Sequence, residues 1–291
     1  MKKNFSGLIV PLVTPFKNGE IDFYSLEKII DFLLENGADG FVSLGTTAET
    51  PTLSEKERDE ILTFTIGRSH GKFVIAGAGS NCTATAVKLS KRAESLGADG
   101  LLSVTPYYNK PQEDGLFAHY RAISNSVKLP VILYDVPSRT GISLSVELIK
   151  KLSCLKNVIG IKDASNDANR FAELKTVLPE FELYSGNDML ADKELISGAK
   201  GIISAAANAM PKLFSDLIKL KCENRNASLT ELFDSEKDSI EILYSETNPA
   251  AIKYYMSLKG LCKNELRLPM CPVSRKNAQK IKKLYLKKEQ A

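Results

Sequence analysis

A chain of 291 residues, 43% hydrophobic and 25% charged, has ample sequence for a sizeable core and suits one large α/β unit or two small domains. Its net charge of +4 is too weak to argue for nucleic acid, and much of the excess lies in one run (Lys276, Lys280, Lys282, Lys283, Lys287, Lys288) that reads as a solvated helix face. Five scattered cysteines without a CxxC pair point to reduced thiols in the cytoplasm, two histidines without ligand spacing argue against a metal site, and no stretch reaches membrane-spanning length.

The chain opens with Met-Lys-Lys and an apolar stretch from Gly7 to Val13 that has the outline of a secretory leader. Pro11 interrupts it and no small-residue cleavage site follows, so a first strand over 8–13 is expected instead. One phrase then recurs: Gly37-Ala38-Asp39-Gly40-Phe41, Gly97-Ala98-Asp99-Gly100-Leu101 and Gly198-Ala199-Lys200-Gly201-Ile202. Each copy follows an amphipathic stretch and precedes a β-rich run. The first Gly can end a helix in the left-handed conformation, and the second permits a tight entry into a strand. In this register further strands fall at 41–44, 73–76, 101–104, 131–134, 158–162, 181–184 and 202–204. Helical segments separate them, with Ser54, Thr83 and Ser145 as N-caps.

Eight strands alternating with helices fit a (β/α)8 barrel, the TIM barrel architecture. A doubly wound open sheet is the runner-up, but no Gly-x-Gly-x-x-Gly follows an early strand. The strand pattern stops after Pro211. The expected division is therefore a catalytic barrel over 1–225 and a C-terminal helical subdomain over 226–291.

Active sites of such barrels lie at the C-terminal strand ends. There the second strand runs into Gly45-Thr46-Thr47-Ala48-Glu49-Thr50 and the fourth into Thr105-Pro106-Tyr107-Tyr108-Asn109. The fifth runs into Tyr134-Asp135-Val136-Pro137-Ser138-Arg139-Thr140-Gly141, and the sixth ends at Lys162. A strand covered on both faces makes a lysine costly unless it has chemistry to perform. Burial disfavours the ammonium form of a lysine, and a neutral amine can attack a ketone to form a Schiff base. Taken alone, Lys162 reads more plainly as a residue past the strand end that snorkels to solvent.

Its neighbours have double readings too. Thr46 and Thr47 can hold a small carboxylate through hydroxyls and backbone N–H groups, or can cap the helix near Ser54. Tyr134 shares inward parity with Ile132, as Lys162 does with Gly160, and is either a proton shuttle or a core tyrosine. Arg139 offers a planar fork for a second carboxylate or belongs to a loop ion pair. Tyr107-Tyr108 reads as surface packing.

Together these four strand-end segments, with Ile161-Lys162-Asp163-Ala164-Ser165 as the last, resemble the dihydrodipicolinate synthase family of pyruvate-dependent class I aldolase barrels. The resemblance runs from Gly7-Leu8-Ile9-Val10-Pro11 to Leu266-Arg267-Leu268-Pro269. It implies a lyase of lysine biosynthesis, a synthase that joins pyruvate to aspartate semialdehyde without a cofactor or metal. It further implies Lys162 as the Schiff-base lysine, Tyr134 as proton donor and acceptor, and Thr46 as the link from Tyr134 to Tyr108 of a neighbouring subunit. Thr47 would bind the pyruvate carboxylate and Arg139 that of the semialdehyde, with the backbones of Gly186 and Ile203 close by. A homotetramer built as a dimer of dimers is implied as well. Two positions depart from the family pattern: Ala48 stands where Gly is frequent, and Asp135, where Asn is frequent, adds a charge near the site. A sugar-acid aldolase of the same superfamily, such as N-acetylneuraminate lyase, is the alternative that Arg139 argues against. A barrel that has lost catalysis is the third.

Overall fold

Each copy of the repeated Gly-x-x-Gly phrase turns a helix into a barrel strand. Gly37, Gly97 and Gly198 have φ of 90°, 91° and 100°, a region that L side chains avoid. Gly40, Gly100 and Gly201 then begin strands Gly40–Ser43, Gly100–Val104 and Gly201–Ile203. At Gly201 a Cβ would lie 2.4 Å from the carbonyl oxygen of Gly7 on the adjacent strand, so the barrel closes only around a glycine there.

The computed structural model describes residues 4–290; the expected domain limits at 1 and 291, and the Met-Lys-Lys start, lie outside the described residues. Eight parallel strands close into a barrel: β1 (Gly7–Pro11), β2 (Gly40–Ser43), β3 (Phe73–Gly77), β4 (Gly100–Val104), β5 (Val131–Asp135), β6 (Val158–Asp163), β7 (Glu182–Ser185) and β8 (Gly201–Ile203). β1 pairs with both β2 and β8, which leaves no open edge and excludes a doubly wound sheet. The helices α1 (Phe23–Glu35), α2 (Glu55–Arg68), α3 (Thr83–Ser95), α4 (Glu113–Ser126), α5 (Val146–Ser153), α6 (Ala168–Val177), α7 (Ala191–Ile196) and α8 (Pro211–Cys222) alternate with these strands.

β1, β2, β4 and β8 start one residue before the expected point, because the glycine at each entry already pairs with its neighbour. β1 also stops short, at Pro11 rather than at 13. Beyond it the N–H of Val13 donates to Asn208 Oδ1 at 3.3 Å and leaves the ladder. Ser54 caps α2 in a reciprocal capping box with Glu57, and Ser145 caps α5. Thr83 is no cap: Cys82 holds that position, and the Thr83 hydroxyl lies 2.9 Å from His119 Nδ1.

Alternation along the strands sends Ile9, Val42, Ile75, Leu102, Ile132 and Ile203 into the barrel, with Tyr134 and Tyr184 among them. Their outward neighbours, such as Val10, Phe41, Leu101 and Leu133, join the layer under the helices. After α8 come α9 (Asn226–Leu243), α10 (Ala250–Leu258) and α11 (Arg275–Glu289). α11 buries Ile281 and Leu284 and turns Lys276, Lys280, Lys282, Lys283 and Lys287 to solvent. Lys288 departs from that solvated face by pairing with Glu236. Among the described residues no helix is long and apolar enough to cross a membrane.

Candidate active site

The loops that follow β2 and β5 and the end of β6 surround a cavity of about 560 Å³, with Thr46, Thr47, Tyr134, Arg139, Lys162, Gly186 and Ile203 in its lining. Tyr134 and Lys162 are direct partners across the β5–β6 ladder, so both point inward. They are 7% and 6% exposed, and Lys162 Nζ lies 4.5 Å from the centroid of the Tyr134 ring. Lys162 therefore belongs to the buried reading, not to the snorkelling one. Gly186 makes room for its stem, since a Cβ there would come within 2.9 Å of Lys162 Cγ and 2.6 Å of the Asp163 carbonyl oxygen. A buried primary amine beside a phenol, open to a polar cavity, is the equipment for imine chemistry with a proton carrier alongside.

Thr46–Ala48 form a single 3-10 turn after β2. Ser54 caps α2, so the threonines are free of that task. Thr47 is buried, and its Oγ1 accepts from Asn248 Nδ2 at 3.0 Å. Glu49 closes the turn at φ 54° and sends its carboxylate down to Lys253 Nζ at 2.6 Å. Both side chains of that pair are at most 1% exposed. Glu49 Oε2 also accepts from the Arg267 N–H at 3.0 Å, and Lys253 Nζ lies 4.4 Å from the centroid of the Phe16 ring. Burial draws the Lys253 pKa down, and the Glu49 carboxylate opposes that. The turn is thus suspended from residues that lie 201 to 218 positions further along the chain.

Arg139 belongs to a helical turn, Pro137–Thr140, and stands exposed at the rim, where Nη2 donates to the Asn248 carbonyl oxygen at 3.4 Å. Tyr108 is not brought to the cavity of its own chain: it is 89% exposed, with φ 73°. Asp135 lies behind the site and not in the cavity: it is the residue after an inward Tyr134 and so faces the helices, fully buried and paired with Arg170 at 2.8 Å. Burial pushes the Asp135 carboxyl up, and the Arg170 guanidinium offsets part of that rise. Ala48 is buried, and its carbonyl oxygen accepts from the Thr14 hydroxyl at 2.8 Å.

One wall of the cavity escaped the sequence reading. Tyr244, Glu246, Thr247 and Asn248, between α9 and α10, line it opposite the strand ends. The Tyr244 hydroxyl donates to Asp188 Oδ2 at 2.5 Å, and the Ala206 N–H donates to the same oxygen at 2.9 Å. Burial, together with Asp188, raises the Tyr244 pKa well above the usual phenol range. Thr247-Asn248-Pro249 was recognisable as a break between helical patterns, yet nothing local tells where such a break is delivered.

The model of the dihydrodipicolinate synthetase family matches residues 4–288. The chain is 43% identical over 279 residues to a 4-hydroxy-tetrahydrodipicolinate synthase of Alkaliphilus oremlandii, covering 95% of this chain and 96% of that one. It is also similar to the crystal structure of dihydrodipicolinate synthase from Thermotoga maritima, with a TM-score of 0.96 and 38% identity over 99% of this chain and 100% of that one. A solved monomeric dihydrodipicolinate synthase variant matches with a TM-score of 0.95 and 38% identity, over 99% of this chain and 98% of that one.

Proposed function

The chain belongs to the dihydrodipicolinate synthetase family, and we propose that it condenses pyruvate with L-aspartate 4-semialdehyde on Lys162, in the diaminopimelate route to lysine. The observation that carries the residue assignment is the buried Lys162 amine set over the Tyr134 ring at the bottom of the cavity. As a lyase of the Schiff-base aldolase type, the protein starts with attack of the Lys162 amine on the pyruvate ketone. Water leaves and a protonated imine forms, with Tyr134 carrying protons to and from the departing oxygen.

The iminium draws electrons from the pyruvate methyl group, a proton leaves, and the resulting enamine attacks the aldehyde carbon. Tyr134 supplies the proton that the new alkoxide takes up. The amino group of the semialdehyde then adds to the imine carbon, which closes the ring and expels Lys162 as a free amine. Thr47 and the N–H groups of the Thr46–Ala48 turn receive the pyruvate carboxylate, and Arg139 at the rim receives that of the semialdehyde. Gly186 and Ile203 contribute backbone and space beside the imine.

Residues up to 225 act as the catalytic barrel and those from 226 as a helical subdomain that braces it. The protein works in the cytoplasm as a homo-oligomer, a dimer of dimers in which Thr46 connects Tyr134 to Tyr108 of the adjoining subunit. The exposure of Tyr108 supports that arrangement. Reduction with borohydride in the presence of pyruvate is expected to add a three-carbon unit at Lys162, found by peptide mass mapping. Lys162→Arg should abolish it. An adduct at another lysine, or no adduct, overturns the assignment, and a coupled assay with sugar aldehydes decides the second substrate.

A further inference from the structure

Arg170, in the first turn of α6, reaches the strand ends that carry Tyr134 and Lys162. Its Nη2 lies 2.8 Å from Asp135 Oδ2 and its Nη1 lies 3.4 Å from Asp163 Oδ1. Nη2 also donates to the Leu144 carbonyl oxygen at 2.9 Å. The Arg170 side chain is 11% exposed, and those of Asp135 and Asp163 are 0% and 1%. These two aspartates are the residues next after Tyr134 and Lys162, and they face each other across the same ladder. Strand alternation sends phenol and amine into the barrel and both carboxylates out beneath the helices.

Two buried carboxylates on adjacent strands repel, and one guanidinium between them pairs with one oxygen of each, while Asp163 Oδ2 finds no hydrogen-bond partner among the described residues. Further bonds tighten the arrangement. Asp135 Oδ2 accepts from the Ser143 hydroxyl at 2.9 Å and the Leu144 N–H at 3.1 Å, and Asp163 Oδ1 accepts from the Ser165 N–H at 2.7 Å. The Thr105 hydroxyl donates to the Tyr134 carbonyl oxygen at 3.1 Å from β4's side. A buried ion pair is poor evidence of net stability, because desolvation cancels much of its attraction. This one sits one residue behind each reacting group.

We propose that Arg170 is a positioning residue for the reaction: by bridging Asp135 and Asp163 it holds the ends of β5 and β6 in the register that sets the Lys162 amine against the Tyr134 ring. The proposal rests on the reading of Lys162 as the imine-forming amine. Misplacement of reacting groups by about 1 Å costs on the order of a hundredfold in rate. Arg170→Met leaves two facing carboxylates unbridged, and Asp135→Asn in the same chain removes their repulsion.

The test is the rate of borohydride-trapped pyruvate adduct at Lys162, with kcat and the pyruvate KM, at a temperature where circular dichroism shows each variant folded. Arg170→Met should slow trapping and kcat about tenfold to a hundredfold while the pyruvate KM stays within about threefold, because the Thr46–Ala48 turn hangs on other residues. Asp135→Asn/Arg170→Met should regain most of that loss. A purely structural role would lower Tm and leave trapping in the folded protein unchanged. Trapping by Arg170→Met at the unsubstituted rate, or no recovery in the double variant, overturns the proposal. If Arg170→Met does not fold, Arg170→Lys keeps the charge without the planar fork, and an unchanged trapping rate there overturns it equally. No adduct at Lys162 in the unsubstituted protein is a separate result, which removes the reading of the site and this proposal with it.

Discussion

Two walls of the cavity, the Tyr134–Lys162 wall and the Thr46–Thr47 wall, are each backed by a buried charge cluster, and the clusters are built differently. Behind the first, Arg170 lies 35 and 7 positions from its two aspartates, on strands already fixed by ladder hydrogen bonds. Behind the second, Lys253 lies 204 positions from Glu49, and the turn it holds belongs to no ladder. The strand wall gets its geometry from the barrel and needs side chains only to refine it. The turn wall gets its geometry from the C-terminal segment, through Lys253 in α10 and Asn248 and Arg267 in the connections around it. Damage to the first should therefore appear in the chemical step, and damage to the second in stability and carboxylate binding.

The contrast is broken most forcefully at Lys253. Lys253→Met leaves Glu49 buried with its main counter-charge gone, and uncompensated charges of this kind cost about 3–5 kcal/mol. Urea unfolding should show that loss, and the pyruvate KM should rise in whatever folded protein remains. Glu49→Gln in the same chain should return much of the stability. A Lys253→Met protein as stable as the parent would mean that the pair does not hold the turn.

Arg139 sharpens the contrast, because it stands on the strand side of the rim and yet is assigned to binding. Arg139→Ala should raise the KM for aspartate semialdehyde about tenfold to a hundredfold, the worth of one or two charge-assisted hydrogen bonds. The pyruvate KM should hardly move. Equal effects on both substrates would make the arginine a loop support through its bond to the Asn248 carbonyl.

Tyr108 tests for a third wall that one chain does not supply. Tyr108→Phe should lower kcat about tenfold, less than the roughly 10²–10⁴ of a direct acid–base group, because the proposed relay sets Thr46 between it and Tyr134. Chains carrying Tyr108→Phe and chains carrying Lys162→Arg, refolded together, should regain activity as mixed oligomers. Mixtures no more active than the separate variants would show that Tyr108 does not act across an interface.

The barrel, the order of its strands and the inward parity of Tyr134 and Lys162 were determined by local sequence. Glycine's access to positive φ, the Ser54 capping box and period-two alternation act over a few residues and can be read within that span. The same locality explains the misreadings. Thr83 looks like a cap until His119, on another helix, takes its hydroxyl. The partner of the Asp135 charge is likewise hidden from local sequence, since Arg170 lies 35 positions further on. What only the tertiary structure decided is the closure of the cavity. The Thr46–Thr47 turn rests on Asn248, Lys253 and Arg267, and Tyr244 meets Asp188 across 56 positions. Such contacts follow from where the C-terminal helices pack against the barrel end. They leave no periodicity or spacing in the sequence, because a side chain that crosses between distant segments answers to the neighbour it meets in space.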